Sequence, residues 1–312
     1  MRDIQGPELP GRRSLLLGMA GLASVALAGC MATAGAAQEE GLSTPEAPIP
    51  VDPAAAAPSR TAPAGAPSAE PYRPTPPSKQ QIVAEFGSRK PREWGLQVTG
   101  TVGKSAARDI ALTLDACGGP GGTGCDQQLL TTLRKLNVPA TLFLNERWIQ
   151  ANPALTTDLA RDPLFELANH GFLHRPLSVS GNSAYGIAGT TDLGQVYDEV
   201  MGNQAVLQGV TGHVPGFFRP GTAYYDEVAA AITRRLGVVP VNFSINGDGG
   251  ATFAPSTVAA EVGKARNGDI VIAHFNKPGS GTAAGLAQAL PRLLGQGATF
   301  AKLGDVLHYD LP

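Results

Sequence analysis

The chain has 312 residues, 43% of them apolar, with 24 basic and 26 acidic side chains and a formal net charge of −2. A balance this close to neutral excludes a nucleic-acid footprint and any strongly charged partner, while the apolar fraction suffices for a sizeable core. The 26 prolines are unevenly spread, much of the proline lying before residue 80.

Residues 1–30 read as an address. Arg12-Arg13 precede an apolar stretch, Leu15 to Ala28, too short and too rich in small residues for a comfortable membrane span. The stretch ends in Leu27-Ala28-Gly29-Cys30. It resembles a bacterial lipoprotein signal peptide, whose lipobox cysteine is acylated and becomes the first mature residue, and the paired arginines resemble a twin-arginine signal. The resemblance implies export, to a periplasmic or cell-surface location, with a lipid anchor on Cys30. The plainer alternative is an ordinary signal peptide with a chance cysteine. Residues 31–79 are mostly Ala, Pro, Ser, Thr and Gly. They bury too little apolar surface to offset their ordering entropy, and proline makes them an extended, disordered tether.

Residues 80–312 have the length of one α/β domain. In chain order, Ile110 to Leu114 reads as a buried strand, Gln127 to Leu136 as an amphipathic helix and Ala140 to Leu144 as a strand. Asn152 to Arg161 follows as a helix, and Leu164 to Asn169 as a strand. Ser178 to Thr191, rich in Gly and Ser, reads as a surface loop suited to the rim of a cleft. Asp192 to Val210 reads as a long helix, Gly216 to Phe218 as a short strand, and Tyr224 to Leu236 as a helix ended by Gly237. Val238 to Phe243 is expected as a strand, Ser256 to Ala265 as a helix, and Asp269 to Ala273 as a strand. Thr282 to Leu294 as a helix and Thr299-Phe300 as a strand complete the series. Such alternation means a parallel sheet covered by helices; pattern alone does not separate a closed barrel from an open doubly wound sheet.

Polar residues follow four of the apolar runs. After Leu164 to Ala168 comes Asn169-His170-Gly171-Phe172-Leu173-His174. Two imidazoles four residues apart are candidate ligands for a transition metal; the bland alternative is one helix-capping and one solvated side chain. Asp115, Arg219 and His274 each follow their own apolar run, the pattern an α/β barrel makes on its catalytic face. Asp115, leading a glycine-rich turn, is a general base, a metal ligand or a turn-forming aspartate.

Thr113-Leu114-Asp115, His170 to His174, Phe218-Arg219-Pro220-Gly221 and Ile272-Ala273-His274 resemble, in order, the motifs of the polysaccharide deacetylases. These are the NodB-homology domains of carbohydrate esterase family four, and the resemblance covers roughly residues 105 to 305. It implies a distorted (β/α)7 barrel, a divalent metal that is usually zinc, and hydrolysis of N- or O-acetyl groups on a glycan. It further implies Asp115 as general base, His170 and His174 as metal ligands, and Arg219 as the residue orienting the base. His274 matches the general acid, and Ile272 the apolar position of the acetyl pocket. The chemistry is coherent: a Lewis acid polarises the carbonyl and its water, a carboxylate takes the water's proton, and an imidazolium protonates the leaving group.

One departure stands out. The family's first motif carries a second aspartate as third metal ligand, and this chain has Ala116 there. Catalytic zinc normally takes three protein ligands, so either Asp115, Asp126 or Asp248 substitutes or the metal is lost. Asp248 is also the nearest candidate for the aspartate of the family's fourth motif, and no tryptophan follows it; Trp94 and Trp148 are expected in the core or at the rim. Cys117 and Cys125 flank the glycine-rich turn. In an exported protein a disulfide bracing that turn is expected, with thiolate ligation by Cys117 as the alternative. His213 and His308 are expected at the surface or in structural roles. The leading expectation is an exported, metal-dependent deacetylase of a cell-envelope or environmental polysaccharide. The rivals are an impaired barrel that only binds glycan, and a hydrolase of another amide or ester.

Overall fold

The computed structural model describes residues 75–307. The signal peptide, Cys30, nearly all of the tether and His308 lie outside the described residues. In chain order the elements are α1 (Lys79–Phe86), β1 (Trp94–Gly95), β2 (Ile110–Ala116), α2 (Gln127–Leu136), β3 (Ala140–Leu144), α3 (Glu146–Ala151), α4 (Pro153–Arg161) and β4 (Phe165–Asn169). There follow α5 (Leu193–Thr211), β5 (Phe217–Phe218), β6 (Tyr225–Asp226), α6 (Glu227–Arg235), β7 (Val239–Pro240), β8 (Ile245–Asn246), α7 (Pro255–Val262), β9 (Ile270–His274), α8 (Gly281–Gly295), β10 (Phe300–Ala301) and α9 (Leu303–Val306).

The main sheet runs β7-β5-β4-β3-β2-β9-β8, all neighbours parallel, with β10 also parallel to β2. The edge strands β7 and β8 are consecutive in the chain. Residues 241–244 between them bond to Val102 and to the Ile270 carbonyl, which turns the sheet into a curled half-barrel. This is the (β/α)7-type architecture expected from the sequence, and it resolves the choice between barrel and flat open sheet.

Strand β2 shows how the sequence separates two interiors. Leu112, Leu114 and Ala116 face the helix-side core with Leu129, Leu133, Trp148 and Phe275. The alternate residue Ala111 faces the barrel interior with Phe143, Ala168, Phe217 and Ile270, and Thr113 and Asp115 belong to the same alternate set. Helix α9 belongs to that interior cluster through Leu303 and Val306, and Leu303 N–H donates to Thr141 Oγ1 at 2.9 Å.

Several boundaries differ from expectation for local reasons. Asp226 accepts from Ala229 N–H at 2.7 Å, so α6 starts only at Glu227 while Tyr225 and Asp226 pair antiparallel with β1. The strand expected over Val238 to Phe243 shrinks to Val239–Pro240: Val241 N–H still donates to the Phe218 carbonyl, but from Asn242 the chain turns to bond Val102 instead of a neighbouring strand. Asn145 caps an additional helix, α3, through Arg147 N–H. Ser78 and Gln81 form a reciprocal cap that starts α1, burying Ile82 and Phe86 where the sequence reading ended a tether.

Candidate active site

Asp115 stands at the end of β2, in register with His274 on β9. Its Oδ1 accepts from Arg219 Nη1 at 2.7 Å, and the same nitrogen donates to Thr113 Oγ1 at 2.9 Å. Arg219 Nη2 donates to the Asn242 carbonyl at 3.0 Å, and the guanidinium lies 4.3 Å from the Phe143 ring centroid. Both charged side chains are buried, Arg219 completely. The guanidinium offsets the carboxylate's desolvation and leaves Oδ2 facing the site. The expected role of Arg219, orienting Asp115, is what this geometry allows.

The histidine loop is held by a buried amide network. Asn145 Nδ2 donates to the carbonyls of His170 and Gly171, Asn169 Nδ2 to Val200 O and Gln204 Oε1, and Asn203 Nδ2 to Leu144 O and Asn169 Oδ1. Glu199, on α5, accepts from the N–H groups of Leu173 and Arg175. Gly171 has φ +80°, and a side chain there would collide with Glu199, so only glycine fits. His174 itself sits at φ +61°, a conformation uncommon for a residue with a side chain.

These constraints aim the two imidazoles. His170 Nδ1–H donates to the Arg219 carbonyl at 2.8 Å, which turns Nε2 toward the site. Nε2 lies 3.7 Å from Asp115 Oδ2 and 3.7 Å from Cys117 Sγ. His174 follows with its ring centroid 4.9 Å from that of His170 and a buried Nε2 that has no hydrogen-bond partner. The ligand atoms that converge come from Cys117, His170 and His174, all within 4.8 Å of one another. An unsatisfied imidazole nitrogen among N and S donors is chemistry suited to a divalent cation. Asp115, expected as a ligand as well as the base, is committed to Arg219 and falls outside that group. Asp126, the other substitute considered, caps α2 by accepting from Leu129 N–H at 3.1 Å.

His274 is oriented from behind. Its Nδ1 lies 2.9 Å from Asp248 Oδ1, and Asp248 Oδ2 accepts from His274 N–H at 2.7 Å and Thr282 Oγ1 at 2.9 Å. Burial alone would hold the His274 imidazole down, but the Asp248 carboxylate outweighs it and keeps the ring well above its ordinary value. Burial correspondingly opposes ionisation of Asp248, and the His274 imidazolium pulls it below the usual carboxylate range. Asp248 was expected to bind substrate. The structure corrects this: the carboxylate is fully buried and spent on His274, Thr282 and Gly250 N–H.

The expected disulfide is corrected too. Cys117 and Cys125 are both free thiols. Cys125 Sγ accepts from Gln127 Nε2 at 3.4 Å, whereas Cys117 sits among His170, His174 and His274. Burial would raise the Cys117 thiol, but the three imidazoles hold it well below its ordinary value. His170 follows the same logic, with burial opposed and outweighed by Asp115 and Cys117.

Asp115, Cys117, His170, His174 and His274 open into one cleft of about 610 Å3, lined also by Ile272, Phe243, Phe253, Tyr185 and Ile187. Ile272 lines this cleft, and the 178–191 loop contributes Tyr185 and Ile187. Trp148 is core, its indole N–H donating to Gly124 O at 2.7 Å, and the Trp94 ring lies tilted against that of Tyr224, centroids 5.6 Å apart. Glu199 and the amide network were missed. Their trace in the sequence is Asn203 and Gln204 interrupting the buried stripe Val196, Val200, Leu207 of α5.

A sequence model of the polysaccharide deacetylase family matches residues 103–241. The chain is 27% identical over 198 residues to a bifunctional xylanase/deacetylase of Pseudobutyrivibrio xylanivorans, matching 63% of this chain but only 30% of that protein's length. It is 29% identical over 204 residues to a peptidoglycan-N-acetylglucosamine deacetylase of Bacillus cereus, covering 64% of this chain and 88% of that one. Among solved structures, a family four carbohydrate esterase pseudoenzyme from Bacillus anthracis superposes with a TM-score of 0.56 at 18% identity, over 69% of this chain and 70% of that one. With the motif residues gathered on the strand ends of a half-barrel, the chain has the fold of the family four carbohydrate esterases, and its residues 103–241 match the polysaccharide deacetylase model.

Proposed function

We propose that this domain is a metal-dependent hydrolase that releases acetate from an acetylated polysaccharide of the cell envelope or surroundings. N-acetylglucosamine units are the first substrate class to test, by similarity to the relative from Bacillus cereus. The observation that carries the reading is the convergence of a buried carboxylate–guanidinium pair, two metal-suited imidazoles and an imidazole–carboxylate dyad on one cleft. Hydrolysis needs a base on one side of the acyl carbon and an acid on the leaving-group side, and Asp115 and His274 stand on adjacent strands in register.

His170 and His174 would hold the divalent cation, with zinc the metal best suited to imidazole donors in a catalytic site. A metal held there would supply Lewis acidity for acyl transfer. Asp115, fixed by Arg219, accepts the proton from the attacking water as that water's oxygen bonds to the acyl carbon. His274, held protonated by Asp248, gives its proton to the leaving nitrogen or oxygen as the acyl bond breaks. Acetate and a free amine or hydroxyl result. Ile272, Phe243 and Phe253 keep the acyl methyl in apolar surroundings, and Tyr185 at the rim offers an aromatic face to a sugar ring.

The test is acetate release from N-acetylated and O-acetylated glycans. Asp115→Asn is expected to keep the fold and lose about 10²–10⁴-fold in rate, the usual worth of a positioned base. Wild-type protein that binds glycan tightly yet releases no acetate in any metal would replace this reading with the glycan-binding one.

A further inference from the structure

We infer that the third protein ligand of this metal site is the Cys117 thiolate, taking the place of the aspartate whose position Ala116 occupies. The inference rests on the metal-dependent reading above and concerns only which side chains of this chain complete the site.

Strand geometry removes the obvious alternatives. Ala116 is fully buried within the helix-side core that includes Leu114, Leu144 and Trp148, so its side chain faces away from the cleft. Asp115 and Cys117 are two residues apart at the end of β2 and share the opposite face. Both line the cleft, but Asp115 is bonded through Oδ1 to Arg219 and falls outside the ligand atoms that lie within 4.8 Å of one another, whereas Cys117 Sγ belongs to that set and meets only imidazoles. The Sγ to His170 Nε2 separation of 3.7 Å is close to the roughly 3.5 Å that a tetrahedral ion imposes between sulfur and nitrogen at ordinary Zn–S and Zn–N lengths.

The local backbone is built for this placement. Gly118 and Gly119 follow at φ +65° and +76°, and a side chain on Gly118 would strike the backbone at Arg147 and Trp148. Arg147 Nη2 donates to the Cys117 carbonyl at 3.3 Å, which anchors the backbone that carries the thiol. Binding releases the thiol proton to solvent and leaves one coordination position for substrate or water, as catalytic zinc sites require. A sulfur donor also shifts preference toward zinc, cobalt and cadmium and away from magnesium, calcium and manganese.

Cobalt(II) reports the ligand set without reference to activity. Full-length protein stripped by chelator under reducing conditions and titrated with Co2+ is expected to show thiolate-to-cobalt charge-transfer absorption in the near ultraviolet. Cys117→Ser should abolish that absorption and weaken metal binding by on the order of 100-fold, since even outer-shell losses cost about 10–100-fold. Cys117→Asp should bind Co2+ without the absorption, and Cys125→Ser should retain it. Co2+ bound to wild type without charge transfer, charge transfer that survives Cys117→Ser, or no Co2+ bound at all would overturn the inference. So would an acetyl thioester trapped on Cys117 in metal-free protein, which would make the thiol a nucleophile. The two readings fail separately. Acetate release without the absorption sinks the ligand and spares the hydrolase, and the absorption without acetate release does the reverse.

Discussion

Asp248 shows how burial decides a role that residue type leaves open. An aspartate next to glycines suits substrate contact, turn formation or ligation equally. The fold closes it off from the cleft and gives it four donors, two of them on His274. In the proposed mechanism it is a positioning residue that aims one imidazole and favours its protonated form. Asp248→Asn has too few acceptor sites for those donors and upsets the ring's orientation, so kcat is expected to fall by about 10-fold or more. KM and bound metal should stay near wild type. Steady-state kinetics check this, and a raised KM with unchanged kcat would return Asp248 to substrate contact. Arg219 carries the same lesson. A fully buried guanidinium is tolerable only because Asp115, Thr113 and the Asn242 carbonyl meet it.

Strand β9 carries His274, and its N-terminal end is pinned by Asp269. That carboxylate accepts from Ser244 Oγ at 2.7 Å and Arg266 N–H at 2.8 Å, and pairs with Lys104 at 2.9 Å. Burial pushes the group up, but Lys104, Ser244 and Arg266 outweigh it and hold it below its ordinary value of 3.8. A depressed carboxylate contributes stability that is present above the unfolded value and lost as pH falls through the folded one. Asp269→Asn should therefore lower Tm at pH 6, with the gap to wild type closing as pH falls below 3.8; thermal melts across that range check it. Long apolar elements such as β2, β3, β9 and α5 were legible because periodicity is local. Two-residue strands such as β6 and β7 were not, since a cap at Asp226 and the turn of Asn242 toward Val102 decide them. The site divides the same way. Asp115, His170, His174, Arg219 and His274 were legible from motifs at strand ends. The state of Cys117 and the spending of Asp248 were not, because both depend on which face a side chain takes once the half-barrel has curled.

On the scale of the whole molecule, a half-barrel at residues 75–307 follows an N-terminal stretch whose sequence proposes export and anchoring. Lipidation at Cys30 would confine the half-barrel to a membrane surface, an arrangement suited to the polymeric substrate proposed above. Cys30→Ser is then expected to move the protein from the membrane to the soluble fraction, and unchanged fractionation would remove the anchor from the account. The family resemblance does not by itself establish turnover, since the same fold includes a protein described as a pseudoenzyme. What decides is whether metal and acetate release rise and fall together. The most direct measurement is acetate release from acetylated glycan by the His170→Ala/His174→Ala double variant, with metal content assayed on the same samples. Loss of both metal and acetate release, with wild-type activity abolished by chelator and restored by zinc, is the predicted result. Full acetate release by the metal-free double variant would contradict the account.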